Sequence, residues 1–169
     1  MKKILIVLAM IILILSLHKE SKTNIPKESI RFRIIANSNE EYDQEIKKEI
    51  LKNLSTAIKQ TNNFKNIEET RIYIKNELPV FNKIVEKTLK ENNRTKDFNI
   101  SYGKNYFPQK TYKNINYEEG EYESLVITLG EGKGNNFWCV LFPPLCLVDE
   151  TEENVEYDSI IKKVLNKYF

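Results

Sequence analysis

The sequence predicts a mixed α+β domain, and two patterns in the chain support that prediction. Apolar residues recur at helical spacing between residues 39 and 89, whereas β-branched and aromatic residues crowd short stretches before and after this region. One strand precedes the helices and three follow them, giving the order β-α-α-α-β-β-β. We therefore predict a single domain in which the late strands form an antiparallel meander, the first strand joins it, and the helices cover one face.

The first predicted strand, Ile30–Ala36, leads directly into the first predicted helix. Ser38 and Glu41 have the spacing of a capping box, so this helix is expected to begin at Asn39. Asn37 and Ser38 thus lie at an elbow between strand and helix. Two explanations of the elbow stay open: capping of a tight turn, or free amides that face a carboxylate of a partner.

Two further helices are predicted between residues 66 and 91. Asn66 and Glu69 form a second capping signal, and the apolar positions that follow share one face. Pro79 lacks an N–H donor and pushes Leu78 toward an extended conformation. We therefore predict that the second helix ends before Pro79 and that a third begins with Pro79 in its first turn.

The late strands are predicted from alternation and from β-branched or aromatic residues. They are Phe98–Tyr102, Tyr112–Tyr117 and Tyr122–Leu129, and Gly130 stops the last of them. An apolar run, Trp138–Phe142, comes next.

The two ends of the chain differ in character from the domain. Lys2 and Lys3 precede the apolar run Ile4–Leu17, which as a helix would be about 21 Å long, short of the hydrocarbon core of about 30 Å. This pattern is typical of a signal peptide, and retention as a short membrane anchor stays open. The predicted units are residues 1–18 (signal peptide or anchor), 19–29 (linker without a packing signal), 30–149 (α+β domain) and 150–169 (acidic segment and amphipathic helix).

The stretch Gly120–Asp149 concentrates the unusual residues of the chain. It holds four of the five glycines, the single tryptophan and both cysteines. Its loop Gly130–Gly134 has three glycines within five residues, which allows positive φ. Pro143 and Pro144 then end any strand ladder because neither can donate a hydrogen bond.

Charge and composition exclude several classes of function. The net charge of +2 comes from Lys2 and Lys3, since the remaining 24 basic side chains balance 24 acidic ones. No cationic face for nucleic acid is therefore indicated. The only histidine, His18, precedes the domain, so neither a catalytic triad nor a structural zinc site is predicted. The glycines lack phosphate-loop spacing, and we expect no cofactor and no metal.

Cys139 and Cys146 have six residues between them. In an exported protein a disulfide is permitted, and chain entropy would make it stabilising by about 2.5 kcal/mol. Two buried thiols among apolar neighbours are the competing interpretation. A thiol-exchange centre would usually have Cys-x-x-Cys spacing.

Three motifs stand in a fixed order along the chain. They are Ile-Arg-Phe-Arg-Ile-Ile-Ala-Asn-Ser over residues 30–38, Phe-Pro followed by Lys-x-Tyr within 107–112, and Gly-Glu-Gly-Lys-Gly-x-Asn-x-Trp-Cys-Val-Leu-Phe-Pro-Pro-Leu-Cys over 130–146, preceded by Gly-Glu-Tyr-Glu. This set resembles the stage II sporulation protein R family of endospore-forming bacteria. Phe137 and Asn39 depart from it, since the family often has Trp and Asp at these positions.

The resemblance implies a signal rather than an enzyme. Members of the family are exported from the forespore into the space between two membranes. There they trigger a membrane-embedded aspartic protease of the mother cell, which cleaves an inactive sigma factor. The expected partner is therefore that protease, not a nucleic acid, with membrane contact through the N-terminal segment and the oligomeric state open.

We expect the partner to contact the glycine-rich loop and the elbow. Glycines cost backbone entropy on folding, Lys133 can meet an acidic partner, and Trp138 offers a large anchor. The predicted contact residues are Asn37, Ser38, Gly130, Gly132, Lys133, Gly134, Asn135, Trp138, Phe142, Pro143 and Pro144. The competing interpretation is that the glycines only permit a tight hairpin and that Trp138 fills the core.

Two other functions stay open at this point. One is a secreted hydrolase of the cell wall that works through two acids such as Glu121 and Glu131. The other is an anchored structural protein.

Overall fold

The computed structural model describes residues 23–61, 64–94, 97–112, 115–147 and 154–169, so the predicted signal peptide or anchor lies outside the described residues. The elements in chain order are β1 (Thr23–Asn24), β2 (Ile30–Ile35), α1 (Glu41–Thr61), α2 (Ile67–Glu91), β3 (Phe98–Phe107), β4 (Lys110–Tyr112), β5 (Ile115–Tyr117), β6 (Gly120–Leu129), β7 (Asn136–Phe142), a 3-10 turn (Leu145–Leu147) and α3 (Asn154–Tyr168). The mixed α+β class is confirmed, but the order and the pairing of strands differ from the prediction.

The main sheet has four strands in the order β3-β6-β2-β7. Strand β2 runs parallel to β6 and antiparallel to β7, while β3 and β6 are antiparallel. The predicted meander of late strands is wrong, because β4 and β5 belong to a separate sheet and β3 pairs directly with β6. Strand β2 joins the main sheet as predicted, but it lies in the interior, between β6 and β7. The physical reason is burial on both faces: Phe32 and Ile34 are buried on one face and Arg31 on the other, which favours a central position for the strand.

Helices α1 and α2 cover one face of this sheet, as predicted. Their inward faces meet the alternate side chains of β2 and β6 in one apolar core. The most completely buried members are Phe32, Ile34, Ile50, Leu54, Ile74, Phe81, Val85, Leu125 and Ile127. Burial of each such side chain contributes about 1.5 to 3 kcal/mol, so this core is the main source of stability.

Helix α1 begins at Glu41, two residues later than predicted. The predicted capping box is not formed, because the Ser38 hydroxyl accepts from the Glu40 amide (3.1 Å) and donates to the Asp43 carboxylate (2.7 Å). Asp43, in the first turn of α1, is thus the acid that holds Ser38, where Glu41 was expected to do so. Capping of the elbow is provided by Ser38 and Asp43 together.

Helix α2 begins as predicted but does not end at Pro79. The Asn66 side chain accepts from the Glu69 amide (2.9 Å), which confirms this cap. The helix then continues through Pro79 to Glu91, so the predicted break is wrong. A proline inside a helix costs about 3 kcal/mol. Ile74 and Phe81, each 1% exposed, lie on either side of the proline, and their burial in one core offsets this cost.

Strands β1, β4 and β5 form a second, smaller sheet. Strand β1 lies in the segment 19–29, which was predicted to be a linker. The order of this sheet is β1-β5-β4, and Thr23 pairs in parallel with Ile115. Ile25 and Ser29 are each only 2% exposed, so part of this segment packs against the domain. No periodicity is visible in this part of the sequence, because a two-residue strand is too short to show one.

Helix α3 packs against the domain. Ile161 and Leu165 join Ile25, Ile115, Val140 and Leu145 in a second apolar core. At the end of α3 the Tyr168 hydroxyl donates to the Phe64 carbonyl (3.1 Å). Among the described helices, none combines the length and the apolar character needed to cross a membrane.

Candidate functional site

The glycine-rich loop lies against the elbow after β2. Because β2 separates β6 from β7, the connection between these two strands must pass over the end of β2, where residues 36–38 leave the sheet. The Gly134 amide donates to the Ala36 carbonyl (2.9 Å), and the Lys133 amide donates to the Asn37 carbonyl (3.1 Å). The Glu131 amide donates to the Asn37 side chain (3.1 Å). Two motifs that are far apart in the sequence thus form one unit.

The glycines of this loop are required by close packing. A Cβ atom at Gly134 would lie 2.2 Å from the Ser38 carbonyl oxygen, and one at Gly130 would lie 2.2 Å from the Asn37 side-chain oxygen. Gly130 and Gly132 also have positive φ, at 53° and 64°. The three glycines therefore have a structural explanation. The two-strand hairpin of the competing interpretation is absent, because β6 and β7 are not neighbours.

Asp43 forms the centre of a polar network under the elbow. Its carboxylate, 5% exposed, accepts from the Asn37 amide and the Ser38 hydroxyl and forms an ion pair with Arg94 (3.2 Å). Arg94 in turn lies over the Tyr42 ring, 4.7 Å from its centroid. Sequence reasoning missed Asp43 and Arg94, which looked like ordinary charged residues in a helix and a loop.

This network favours the capping explanation of the elbow over an anion site. The first turn of α1 already carries the carboxylates of Glu41 and Asp43. A partner carboxylate at the same place would meet like charge, so the helix start is poorly suited to bind one.

Glu131, Lys133 and Asn135 are the exposed residues of the loop. The Lys133 ammonium pairs with Glu131 (2.7 Å), and both side chains are mostly exposed, at 77% and 69%. The hydrogen bond from Lys133 to Glu131 raises the pKa of Lys133, so the side chain stays charged. The backbone of Asn135 is fixed by two hydrogen bonds. Its carbonyl accepts from the Lys47 ammonium (2.9 Å), and its amide donates to the Asn39 side chain (2.7 Å).

Trp138 is half-buried on the sheet face opposite α1 and α2. Its ring makes an edge contact with Phe107 at 5.1 Å between centroids. The Arg33 guanidinium lies 4.8 Å and the Lys110 ammonium 5.4 Å from the Trp138 ring centroid. Trp138 is thus neither a fully buried core residue nor a free anchor. It forms part of a cationic and aromatic surface that includes Arg33 and Lys110.

The Phe-Pro-Pro segment is largely buried. Phe142 is 4% exposed, Pro143 is buried, and the Phe142 ring contacts Tyr168 and Phe169 of the C-terminal segment. The exposed ridge of aromatic and proline residues that the sequence suggested is therefore absent at Phe142 and Pro143. Pro144 retains partial exposure. The C-terminal helix covers this segment, which the sequence could not show.

Cys139 and Cys146 are joined as a disulfide with their Cα atoms 5.4 Å apart. The bond ties β7 to the 3-10 turn that follows the two prolines. It therefore fixes the end of the strand that carries Trp138.

Arg31 is buried between the two sheets at 1% exposure. Its guanidinium lies 3.3 Å from the Tyr122 ring centroid and 5.3 Å from that of Phe107, and it donates to the Glu118 carbonyl (3.3 Å). Burial lowers the pKa of Arg31, although nearby tyrosines oppose this change. The sequence offered a signal for Arg31 and Arg33: two of only four arginines stand at alternate positions of one strand.

The alternative catalytic pair is not assembled. Glu121 lies near the start of β6 and Glu131 lies beyond its end, so the length of the strand, about 27 Å, separates them. Glycoside hydrolysis needs two carboxyl groups about 5 to 9.5 Å apart. Among the described residues no group of three or more His, Cys, Asp or Glu side chains could hold a metal ion.

Together these features describe an α+β domain that presents a packed loop and a cationic, aromatic surface, which is typical of an interaction module. The chain matches the family Stage II sporulation protein R (spore_II_R) over residues 26–152. It is also 39% identical over 166 residues to the Stage II sporulation protein R of Bacillus subtilis (strain 168), covering 88% of this chain and 73% of the relative. The chain therefore belongs to the stage II sporulation protein R family. No solved structure matches it.

Proposed function

We propose that this protein is an exported signal of sporulation that activates a membrane-embedded aspartic protease of the mother cell. Activation of the protease then leads to the processing of an inactive sigma factor. The observation that carries this proposal is membership of the family over residues 26–152, which includes all three motifs. The role in signalling and the identity of the partner come from the resemblance described above.

Export is part of the proposal. Residues 1–18 have the charge and apolar pattern of a signal peptide or short anchor, and this pattern is the support for transfer into the intermembrane space. The mass of the protein recovered from that space distinguishes a cleaved signal peptide from an anchor.

We further propose that the partner contacts the exposed side of the loop–elbow unit. Glu131, Lys133 and Asn135 are the exposed loop residues there, and Trp138 lies half-buried beside them. The three loop glycines and the buried side chains of Phe142 and Pro143 would support this surface rather than touch the partner.

Deletion of the gene tests the activity. In sporulating cells that lack the protein we expect the sigma factor to stay unprocessed, and expression of the wild-type gene in the forespore should restore processing. A gene whose residues 1–18 are removed is the matched control, since it yields the same domain without export. Normal processing in the deletion strain would refute the proposal.

A further inference from the structure

Three cations near strand β7 lack carboxylate partners. Among the described residues, no carboxylate oxygen lies within 4.0 Å of the charged groups of Arg33, Lys47 or Lys110. Of the other described arginines, Arg71 and Arg94 each have such a contact, whereas the buried Arg31 donates to the Glu118 carbonyl. These three cations form a local cluster without ion pairs, although the domain as a whole is nearly neutral.

Arg33 is held in a fixed position within this cluster. The Asn136 side-chain amide is oriented so that both its nitrogen and its oxygen have hydrogen-bond partners. In this orientation the oxygen accepts from Arg33 Nη2 (2.8 Å) and Nε (3.1 Å). The guanidinium also stacks over Trp138. A planar group that is oriented in this way is suited to bind a carboxylate through two hydrogen bonds.

Lys110 and Lys47 add positive charge near Arg33. The Lys110 ammonium lies over the same Trp138 ring as Arg33, and the side chain is exposed. The Lys47 ammonium is bound to the Asn135 carbonyl and the Gln44 side chain, both neutral. Burial lowers the pKa of Lys47, and the nearby charges of Lys48 and Lys110 lower it further.

We propose that the surface formed by Arg33, Lys110 and Trp138, which we call the Arg33 patch, binds an acidic peptide segment of the protein partner. The patch offers an oriented guanidinium, a second cation and an aromatic surface between them. A glutamate or aspartate side chain would supply the missing negative charge. This inference deepens the proposed function, on which its biological meaning rests, because it names the chemistry that the partner must present.

An anionic membrane is a poorer fit than an acidic peptide. Attraction to a lipid surface usually needs about four to eight exposed lysines or arginines. Here Arg33 and Trp138 are half-buried and Lys47 is 9% exposed, so Lys110 is the fully accessible cation of the cluster. A recessed, oriented arginine selects one carboxylate better than a fluid layer of phosphates.

The fluorescence of Trp138 tests the proposal directly, because it is the only tryptophan in the chain. The full-length protein in a neutral detergent would be titrated with a short glutamate-rich peptide. A peptide with glutamine in place of every glutamate is the control. We expect a saturable change of the Trp138 emission with the first peptide and none with the second.

Variants locate the binding. Arg33→Gln and Lys110→Gln should each lower the affinity for the glutamate-rich peptide by about tenfold or more, since each removes a charge-assisted contact. Lys87→Gln, which changes an exposed lysine paired with Glu91, should leave the affinity unchanged. If Arg33→Gln fails to fold, two other variants preserve the test. Lys110→Gln changes an exposed residue, and Arg33→Lys keeps the positive charge.

Three results would overturn the inference. One is an unchanged emission with the glutamate-rich peptide, and another is equal affinity in wild type and in the patch variants. The third is patch-dependent binding to mixed micelles that contain phosphatidylglycerol without binding to the peptide, which would indicate a lipid surface.

The same variants separate this inference from the proposed function in cells. If Lys110→Gln accumulates normally and the sigma factor is fully processed, while gene deletion blocks processing, the proposed function stands and the Arg33 patch is excluded. If the peptide binds as expected but deletion has no effect on processing, the binding site stands and the proposed function is wrong.

Discussion

Gly134 and Ser38 approach each other so closely that a Cβ atom on residue 134 would lie 2.2 Å from the Ser38 carbonyl oxygen. This oxygen also accepts from the Gln44 side chain (2.8 Å), so the backbone of the elbow is held from the side of α1. The loop after β6 and the elbow after β2 therefore fit only when residue 134 is glycine.

We predict that Gly134→Ala destabilises the domain by about 1 to 3 kcal/mol, because backbone atoms of the elbow must move to admit the methyl group. Gly103→Ala is the matched control, since nothing lies within 4 Å of a Cβ atom at that position in β3. The control should be neutral or slightly stabilising. Urea unfolding measures both, and equal stability of the two variants would contradict the close packing.

Lys133→Glu separates partner contact from stability. The Lys133–Glu131 pair is exposed and screened by solvent, so we expect the free energy of unfolding to stay essentially unchanged. If the exposed loop meets the partner, processing of the sigma factor should fall sharply. Lys87→Glu, which breaks a comparably exposed pair with Glu91, should reduce neither quantity. A stable and fully active Lys133→Glu protein would remove the loop from the contact surface.

Glu123 gives stability that depends on pH. Burial alone would raise the pKa of Glu123, but hydrogen bonds from Arg71 and Tyr102 lower it below its ordinary value. A lowered pKa in the folded state stabilises the protein above the ordinary glutamate pKa of about 4.3, and this stabilisation is lost as the pH falls through the folded value. Glu123→Gln should therefore cost about 1 to 3 kcal/mol at neutral pH and much less in acid.

Unfolding by urea at several pH values measures this effect. Glu86→Gln is the control, because Glu86 forms a fully exposed pair with Lys90 and should contribute little. If the difference between wild type and Glu123→Gln stayed constant down to low pH, the role assigned to the Glu123 carboxylate would be wrong.

Pro79→Ala should raise stability by about 1 to 3 kcal/mol. The alanine supplies the missing N–H donor inside α2, and this gain exceeds the added entropy of the unfolded chain. The neighbouring change Val80→Ala, at a residue that is 41% exposed, should have a small effect. Thermal unfolding measures both variants. A fall in the melting temperature of Pro79→Ala would mean that the proline relieves strain in the helix.

Local patterns in the sequence were sufficient for much of the fold. Helical spacing of apolar residues marked α1, and the Asn66 cap marked the start of α2, because both are set by neighbours within a few residues. The break expected at Pro79 did not occur, since tertiary packing on both sides of the proline outweighs its local cost. Residues 19–29 were expected to be a linker because no packing signal appears there, and the strand that pairs with β1, β5, lies far along the chain.

The candidate site shows the same division. From the sequence alone came the family resemblance, the glycine-rich loop, the elbow at Asn37 and Ser38, and the prominence of Trp138. Only the tertiary structure decided that β2 lies between β6 and β7, which brings the loop onto the elbow and makes the glycines a packing requirement. It also placed Arg33 and Lys110 on the ring of Trp138. Such contacts depend on strand order, and strand order is fixed by burial over the whole sheet, which no local stretch of sequence encodes.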